Sequence, residues 1–370
     1  MRITIDASRA NRPQKTGVEW YSYHLIEELK KITADDGNEW LLYTNDPLDV
    51  VLKKAPTNWQ EAILHWPPKY LWTQIRLWWE LISNPPDVLF VPAHTIPLLP
   101  IRKQTKVVVT VHDVGFHRFP ELYKPIQRAY HELTMWRIKQ RANVIMTISE
   151  FSKQEIIECY NIDPQRIVVA PLGYDEQKYK PQTIDSQLLV KYKIAQPYIL
   201  YTGRIERKKN ILNLLEAFKI LHERQPQVQL VLVGAPGNAI EPMNEFIVNN
   251  KLMNAIHYLG YVSADELPVL VAGAAVYSFV TLYEGFGIPI VEAMASGVPV
   301  VTSDMNPHHE VAGAAALLVD PHNPQVIAEA LAQIITQPEL AERLKIAGLA
   351  QSQRYKWSQT AATTLAVLKN

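Results

Sequence analysis

A chain of 370 residues exceeds the roughly 250–300 residues at which single hydrophobic cores stop growing, so two domains are expected. Its 48% hydrophobic and 20% charged residues exclude a disordered or fibrous protein. Lys plus Arg and Asp plus Glu both number 37, so no global field draws the molecule to nucleic acid or anionic lipid, and any such contact is local.

The opening MRITIDASRA alternates apolar and polar residues, lacks the apolar stretch of a signal peptide, and supplies a first strand, ITIDA. GVEWYSYHLIEELKKI has helical period, and WLLYT reads as the next strand. HWPPKYLWTQIRLWWELI sets Trp66, Trp72, Trp78 and Trp79 beside Lys69 and Arg76. It is expected either as an aromatic core helix after a proline turn or as a segment resting at a lipid interface. Strands DVLFVP and KVVVTVHD follow, then a basic helix from Tyr123 to Arg141, the strand VIMTIS and the helix EFSKQEIIECYN. The lone cysteine, Cys159, sits in that helix as a buried or half-buried thiol; without a disulfide partner, signal peptide or apolar span, the chain is expected to be cytoplasmic.

Between about Gly173 and Pro197 the sequence is polar, carries prolines and has no strong apolar period, which marks a boundary. Beyond it YILYTG, VQLVLVG, IHYLG, AVYSFV and VPVVTS read as strands, with helices NILNLLEAFKILHER and ADELPVLVAGA between them. Two such series in tandem predict an α/β protein of two Rossmann-like, doubly wound domains, residues 1–175 and 190–354, facing across a cleft, with ligands beyond the carboxyl ends of the strands. A last helix over about 355–370, containing WSQTAATTLAVL, is placed to cross back onto the first domain.

Two stretches carry chemistry. In YEGFGIPIVEAMASGVPVVTS, from Tyr283, seven residues separate Glu284 from Glu292, and a glycine turn opens a helix-compatible run. Free backbone N–H groups at such a helix start can receive a phosphate or a sugar hydroxyl, and Glu292 inside the helix can accept from a ribose diol. In YTGRIERKKN, from Tyr201, Arg204 and Lys209 flank a short loop after a strand, so that a planar guanidinium fork and a compact ammonium can meet one anion. Arg207 and Lys208 lie there too, and at least two of these four cations read as part of a solvated basic loop. Breaking a sugar–phosphate bond puts negative charge on the departing diphosphate, and fixed cations aimed at it are worth several kcal/mol in a sheltered site.

With TGVEWYSYHL, VVVTVHD, TISEFSK and APLGYD, these stretches make nearly the whole chain resemble the retaining glycosyltransferases of family 4, which have the two-domain GT-B fold. The resemblance implies that Glu284 contacts the donor sugar and Glu292 the ribose, while Arg204 and Lys209 hold the diphosphate. It implies further donor contacts at Gly203, Phe286, Gly287 and Ile288, a base near Tyr261 and Val262, a close approach of the donor at Gly17, and a hydrogen bond from His112 to the sugar, with Asp113 orienting the ring. The basic loop departs from the family's proline-arginine-lysine-asparagine run by carrying Arg207, Lys208, Lys209 and Asn210. NPHHE at Asn306–Glu310 stands where serines or a small-proline pair are usual, and His308 and His309 read as surface residues.

Catalytically, no carboxylate is placed as a covalent nucleophile, so a front-face transfer is expected, the leaving phosphate taking the acceptor proton and Glu284 positioning the sugar. No Asp-x-Asp occurs, so Arg204 and Lys209 stand in for a metal ion, and neither metal nor cofactor is expected. A nicotinamide oxidoreductase would carry G-x-G-x-x-G after its first strand, which GFGIPI does not match. A GT-B epimerase or phosphorylase, or a nucleotide-sugar-binding subunit without activity, shares the architecture. EGFGIPIVEAMASG resembles most the bacterial members that use GDP-mannose for surface polysaccharides, lipopolysaccharide among them, with UDP-glucose or another UDP-hexose as the rival donor. The acceptor, a glycan or a polyprenyl-diphosphate-linked glycan, is expected on the first domain, where peripheral contact with the inner face of the plasma membrane would bring the enzyme to it.

Overall fold

A computed structural model describes residues 1–12, 15–67, 70–183 and 185–370. The chain divides into two units, Met1–Gly173 with Trp357–Asn370, and Tyr174–Lys356. The first division falls at the amino-terminal edge of the stretch expected to form the boundary, so the polar segment after Gly173 belongs to the second unit. Lys69 of the tryptophan-rich segment lies outside the described residues.

The first unit is a parallel sheet of β1 (Arg2–Asp6), β2 (Glu39–Thr44), β3 (Trp59–Ile63), β4 (Val88–Val91), β5 (Lys106–Thr110), β6 (Val144–Thr147) and β7 (Ile167–Val169) in the order β3-β2-β1-β4-β5-β6-β7. Strands β4 to β6 are almost wholly buried, as expected for β-branched runs covered by helices on both faces. The helix Gly17–Ile32 starts on a capping box, Thr16 with Glu19, and packs against the last helix, Trp357–Lys369. His24 stacks on Trp357 with ring centroids 5.2 Å apart, the Thr360 hydroxyl donates to the Pro171 carbonyl at 2.5 Å, and the Lys106 ammonium reaches the Val367 carbonyl at 2.5 Å. The carboxyl-terminal helix is therefore an integral part of the first unit's core.

The tryptophan-rich segment is not one helix. Thr73–Leu77 forms a wide turn that runs into the short helix Trp78–Ser83; Trp72, Leu77 and Leu81 enter the core while Trp79 is exposed.

The second unit repeats the plan with β8 (Tyr198–Thr202), β9 (Gln229–Val233), β10 (Ile256–Gly260), β11 (Val276–Phe279), β12 (Val300–Ser303) and β13 (Ala316–Val319), ordered β10-β9-β8-β11-β12-β13. Every pairing is parallel. The helices Ile211–Arg224 and Pro324–Thr336 cover one another beside the sheet, and Gly348 on Pro338–Ser352 lets Met294 approach closely. The order reverses between β8 and β11, and in an open α/β sheet ligands bind outside the carboxyl ends of the strands at such a point. Both sequence stretches singled out for chemistry leave the sheet there: Gly203–Asn210 after β8 and Val280–Gly287 after β11.

Three edge strands, β3, β7 and β13, were not among the expected ones. Trp59–Ile63 (WQEAI) mixes polar and apolar residues, Ile167–Val169 is three residues long, and Ala316–Val319 is four residues long and only half covered, so each gives a weak or short signal.

Candidate active site

The loop after β8 is shaped by close backbone approach. Gly203 has φ +146°, and a Cβ there would lie 2.7 Å from the Tyr201 hydroxyl; the neighbouring Gly234 would place its own 2.0 Å from the Gly203 carbonyl oxygen. Only glycine fits both positions. The loop then makes a single tight turn, Arg207–Lys209, and enters the helix Ile211–Arg224 through Asn210 at φ +60°. The buried Asn210 amide donates to the Val280 carbonyl at 2.9 Å and to the Pro321 carbonyl at 2.6 Å, pinning the loop to the segment after β11. Sequence reasoning named Asn210 only as part of a basic run. A donor side chain at the left-handed entry to a helix was the available signal.

The Leu282 amide donates to the Lys208 carbonyl at 2.9 Å, so the two loops run together. That register brings Lys209 Nζ onto Glu284 Oε1, with side chains only 17% and 16% exposed. The same ammonium lies 5.7 Å from the centre of the Phe279 ring. An ion pair this enclosed has lost most of its water, which strengthens its response to a further charge brought beside it.

Arg204 has a different setting. Its side chain is 58% exposed, 3.3 Å from Glu206 and 3.4 Å from the Pro236 carbonyl. Of the two cations, Lys209 is held in the fold and Arg204 stands at its surface.

The glycine turn closes with Gly287 at φ +98°, and the helix Ile288–Ala295 begins there. Phe286 is buried with its ring edge-on to Tyr355, centroids 5.4 Å apart. Pro289 removes one of the free N–H groups of the first turn, leaving those of its neighbours. Glu292, half-buried on this helix, is pushed up to about 8 by burial, against a hydrogen bond from Tyr179 and with the charge of Asp175 adding to the rise. At the end of β10, Tyr261 is exposed and Val262 is buried.

His308 departs most from its expectation. It is fully buried rather than on the surface, its ring between Thr302, Thr281 and Phe279, whereas His309 beside it is exposed and pairs with Asp304 at 2.5 Å. The side chain is carried inward because the short helix His308–Ala312 begins at that residue and turns Val311 and Ala312 to the same core.

In the first unit, Gly17 is the first residue of its helix, and a Cβ there would meet nothing within 4 Å. His112, after β5, is buried; Nε2 lies 3.2 Å from the Pro92 carbonyl oxygen and the ring meets Tyr21 edge-on at 4.6 Å. Burial holds its imidazole below its usual range. A carbonyl only accepts, so Nε2 carries the proton and Nδ1 is the free acceptor. Asp113 does not orient the ring: its carboxylate accepts from the Gly115 amide at 2.9 Å, and the Pro92 carbonyl holds His112 instead. A histidine pair that sequence reasoning missed lies after β4, where His94 Nε2 is 3.1 Å from His131 Nδ1 and burial pushes His94 down to about 3.

Comparison with known proteins bears on both units. Residues 15–178 match the family model described as Glycosyltransferase Family 4, and residues 190–351 match the one described as Glycosyl transferases group 1. O-antigen chain mannosyltransferase B of Escherichia coli is 34% identical over 268 residues, which cover 71% of this chain and 70% of that protein. O-antigen chain mannosyltransferase RfbU of Salmonella typhimurium is 29% identical over 250 residues, 68% of this chain and 65% of its own length. Among solved structures, Anabaena Alr3699/HepE in complex with UDP and glucose superposes with a TM-score of 0.76 at 20% identity, covering 100% of this chain and 99% of that one. The glycosyltransferase WaaG, involved in lipopolysaccharide biosynthesis, gives 0.73 at 15% identity with 100% of both chains covered. The architecture is GT-B.

Proposed function

The chain belongs to glycosyltransferase family 4, and we propose that it transfers mannose from GDP-mannose, with retention at the anomeric carbon and without a metal ion, to a glycan or polyprenyl-diphosphate-linked glycan in surface polysaccharide synthesis. The observation that carries this reading is the enclosed Lys209–Glu284 pair at the point where the strand order of the second unit reverses. The mannosyl specificity rests on the O-antigen mannosyltransferases to which the chain is similar.

The diphosphate docks on Lys209 and Arg204, whose charges neutralise it as it departs. Glu284 orients the sugar and keeps the Lys209 ammonium in place. The bond from the anomeric carbon to the diphosphate oxygen breaks, the bond to the acceptor oxygen forms on the same face, and the acceptor proton passes to the departing phosphate oxygen. Glu292 accepts from the ribose diol, Gly203, Phe286, Gly287 and Ile288 seat phosphate and sugar, and Tyr261 and Val262 receive the base.

The test is transfer from labelled GDP-mannose to a glycan acceptor in competition with unlabelled UDP-hexoses, followed by the anomeric configuration of the glycoside formed by NMR. Turnover of GDP-mannose to an α-linked product is expected. Turnover of UDP-hexoses alone overturns the donor, and a β-linked product overturns retention.

Among the described residues no helix is long and apolar enough to cross a membrane. The first unit nevertheless exposes Tyr70, Leu71, Trp79, Leu99, Leu133 and Trp136. Their elements are tied together, Arg137 donating to the Leu99 carbonyl at 3.1 Å and Trp78 to the Pro100 carbonyl at 2.9 Å. With exposed Arg102, Lys124, Arg128 and Lys139 on or beside the same segments, these residues suit an anionic lipid surface, where aromatic rings and cations act together. Flotation with anionic liposomes is expected to carry the protein to the top fraction, and no recovery there removes the contact.

A further inference from the structure

His308 has no part in the mechanism above, yet its imidazole packs against β11, β12, the segment after β11 and the glycine turn, on the Glu284 side of the Lys209–Glu284 pair. Nδ1 lies 3.0 Å from Thr302 Oγ1, and Nε2 lies 3.5 Å from Thr281 Oγ1. The ring centre is 5.7 Å from that of Phe279, the same ring whose centre lies 5.7 Å from Lys209 Nζ. A Cβ on Gly287 would sit 3.4 Å from His308 Cδ2 and 3.6 Å from Nε2, so the ring edge lines the back of the glycine turn.

The hydrogen bonds fix the tautomer. Thr302 gives its single hydroxyl proton to the Phe279 carbonyl at 2.8 Å, so its oxygen can only accept from His308. Nδ1 therefore carries the proton, and Nε2 presents a lone pair to the Thr281 hydroxyl and the glycine turn. Burial keeps the ring neutral, pushing it down to about 4 against the pull of Glu284, with Lys209 and His309 adding to the fall. An aliphatic side chain would fill the same space but leave the buried Thr281 hydroxyl without its acceptor.

We infer that His308 is a positioning residue of the transferase site, acting through the Gly287 turn and the Phe279 ring to fix where the Lys209–Glu284 pair meets the donor's diphosphate. This rests on the function proposed above, since it gives the pair a diphosphate to meet. The geometry demands a neutral side chain that is a donor at one end and an acceptor at the other, and histidine supplies both.

The experiment compares full-length wild type with His308→Leu, which keeps volume and loses both hydrogen bonds, and His308→Gln, which returns an acceptor near the place of Nε2. Three quantities are read on each: kcat and KM for GDP-mannose hydrolysis, the melting temperature, and the pH dependence of Lys209 acylation by an amine-specific reagent, followed by peptide mass spectrometry. The expected result is a kcat at least about tenfold lower in His308→Leu at nearly unchanged KM, a shifted Lys209 acylation profile, and recovery of both in His308→Gln, since small misplacements of a catalytic group cost this much or more. A wild-type kcat and acylation profile in His308→Leu overturns the inference. So does a kcat loss in both variants that merely follows their melting temperatures while Lys209 acylation is unmoved. Acylation needs no donor: if the wild type turns over no nucleotide sugar, the proposed function fails, and the Lys209 profile alone decides whether His308 positions the pair.

Discussion

Lys209 and Glu284, 75 residues apart in the chain, meet in an ion pair that is largely closed to water. Each arrives on the loop leaving one of two adjacent strands, β8 and β11, and the Asn210 amide laces the loops together beneath them. A cation held in this way is already oriented, and no reorganisation is needed to bring it to bear on an anion placed beside it.

Removing either partner leaves the other charge buried and unpaired. Lys209→Met and Glu284→Gln are each expected to lose about 3 kcal/mol in urea denaturation and at least about a hundredfold in kcat. The double variant regains most of the stability and none of the activity. A single variant as stable and as active as the wild type would show that the pair carries neither role.

Arg204 separates stability from catalysis. Because its side chain stands mostly in solvent, Arg204→Ala is expected to leave the melting transition within about 0.5 kcal/mol of the wild type while weakening transfer. Steady-state kinetics showing an unchanged kcat/KM would remove it from the diphosphate site.

If Lys209 and Arg204 neutralise the leaving group, transfer proceeds undiminished in excess chelator. Activity that disappears with EDTA and returns only with Mg or Mn would assign that work to a metal.

Gly287 is the glycine of the turn that cannot be replaced cheaply. At φ +98° an L-residue is strained, and its Cβ would lie 3.0 Å from Ile290 Cδ1 and 3.4 Å from the His308 ring. Gly287→Ala is expected to cost about 1–3 kcal/mol by chemical denaturation. Full stability in that variant would mean that the turn relaxes freely.

Glu292 makes stability depend on pH. Its carboxyl is raised from 4.5 to about 8, chiefly by burial, so between these values the unfolded chain has released a proton that the folded protein keeps. The contribution is therefore fully present below about pH 4.5 and is lost as pH rises through about 8. Glu292→Gln removes this dependence, so its melting temperature is expected to gain on the wild type between about pH 5.5 and about pH 8.5. Parallel melting curves across that range would place the ionisation elsewhere.

The central strands of both sheets were legible because covered parallel strands need unbroken apolar runs, as in VVVTV and VQLVLV. The residues of the two loops after β8 and β11 were legible too, since glycine turns and charged side chains at strand ends are local patterns. What the sequence by itself determined was the two tandem α/β series and the residue types at their carboxyl ends. Only the tertiary structure decided that Lys209 grips Glu284, that His308 of the polar-looking NPHHE turns into the core, that Pro92 rather than Asp113 holds His112, and that the last helix completes the first unit's core. The edge strands β3, β7 and β13 escaped notice for the same reason. Periodicity records which side of one element is buried, whereas these features depend on which elements the strand order makes neighbours, and that order is set by contacts between segments far apart in the chain.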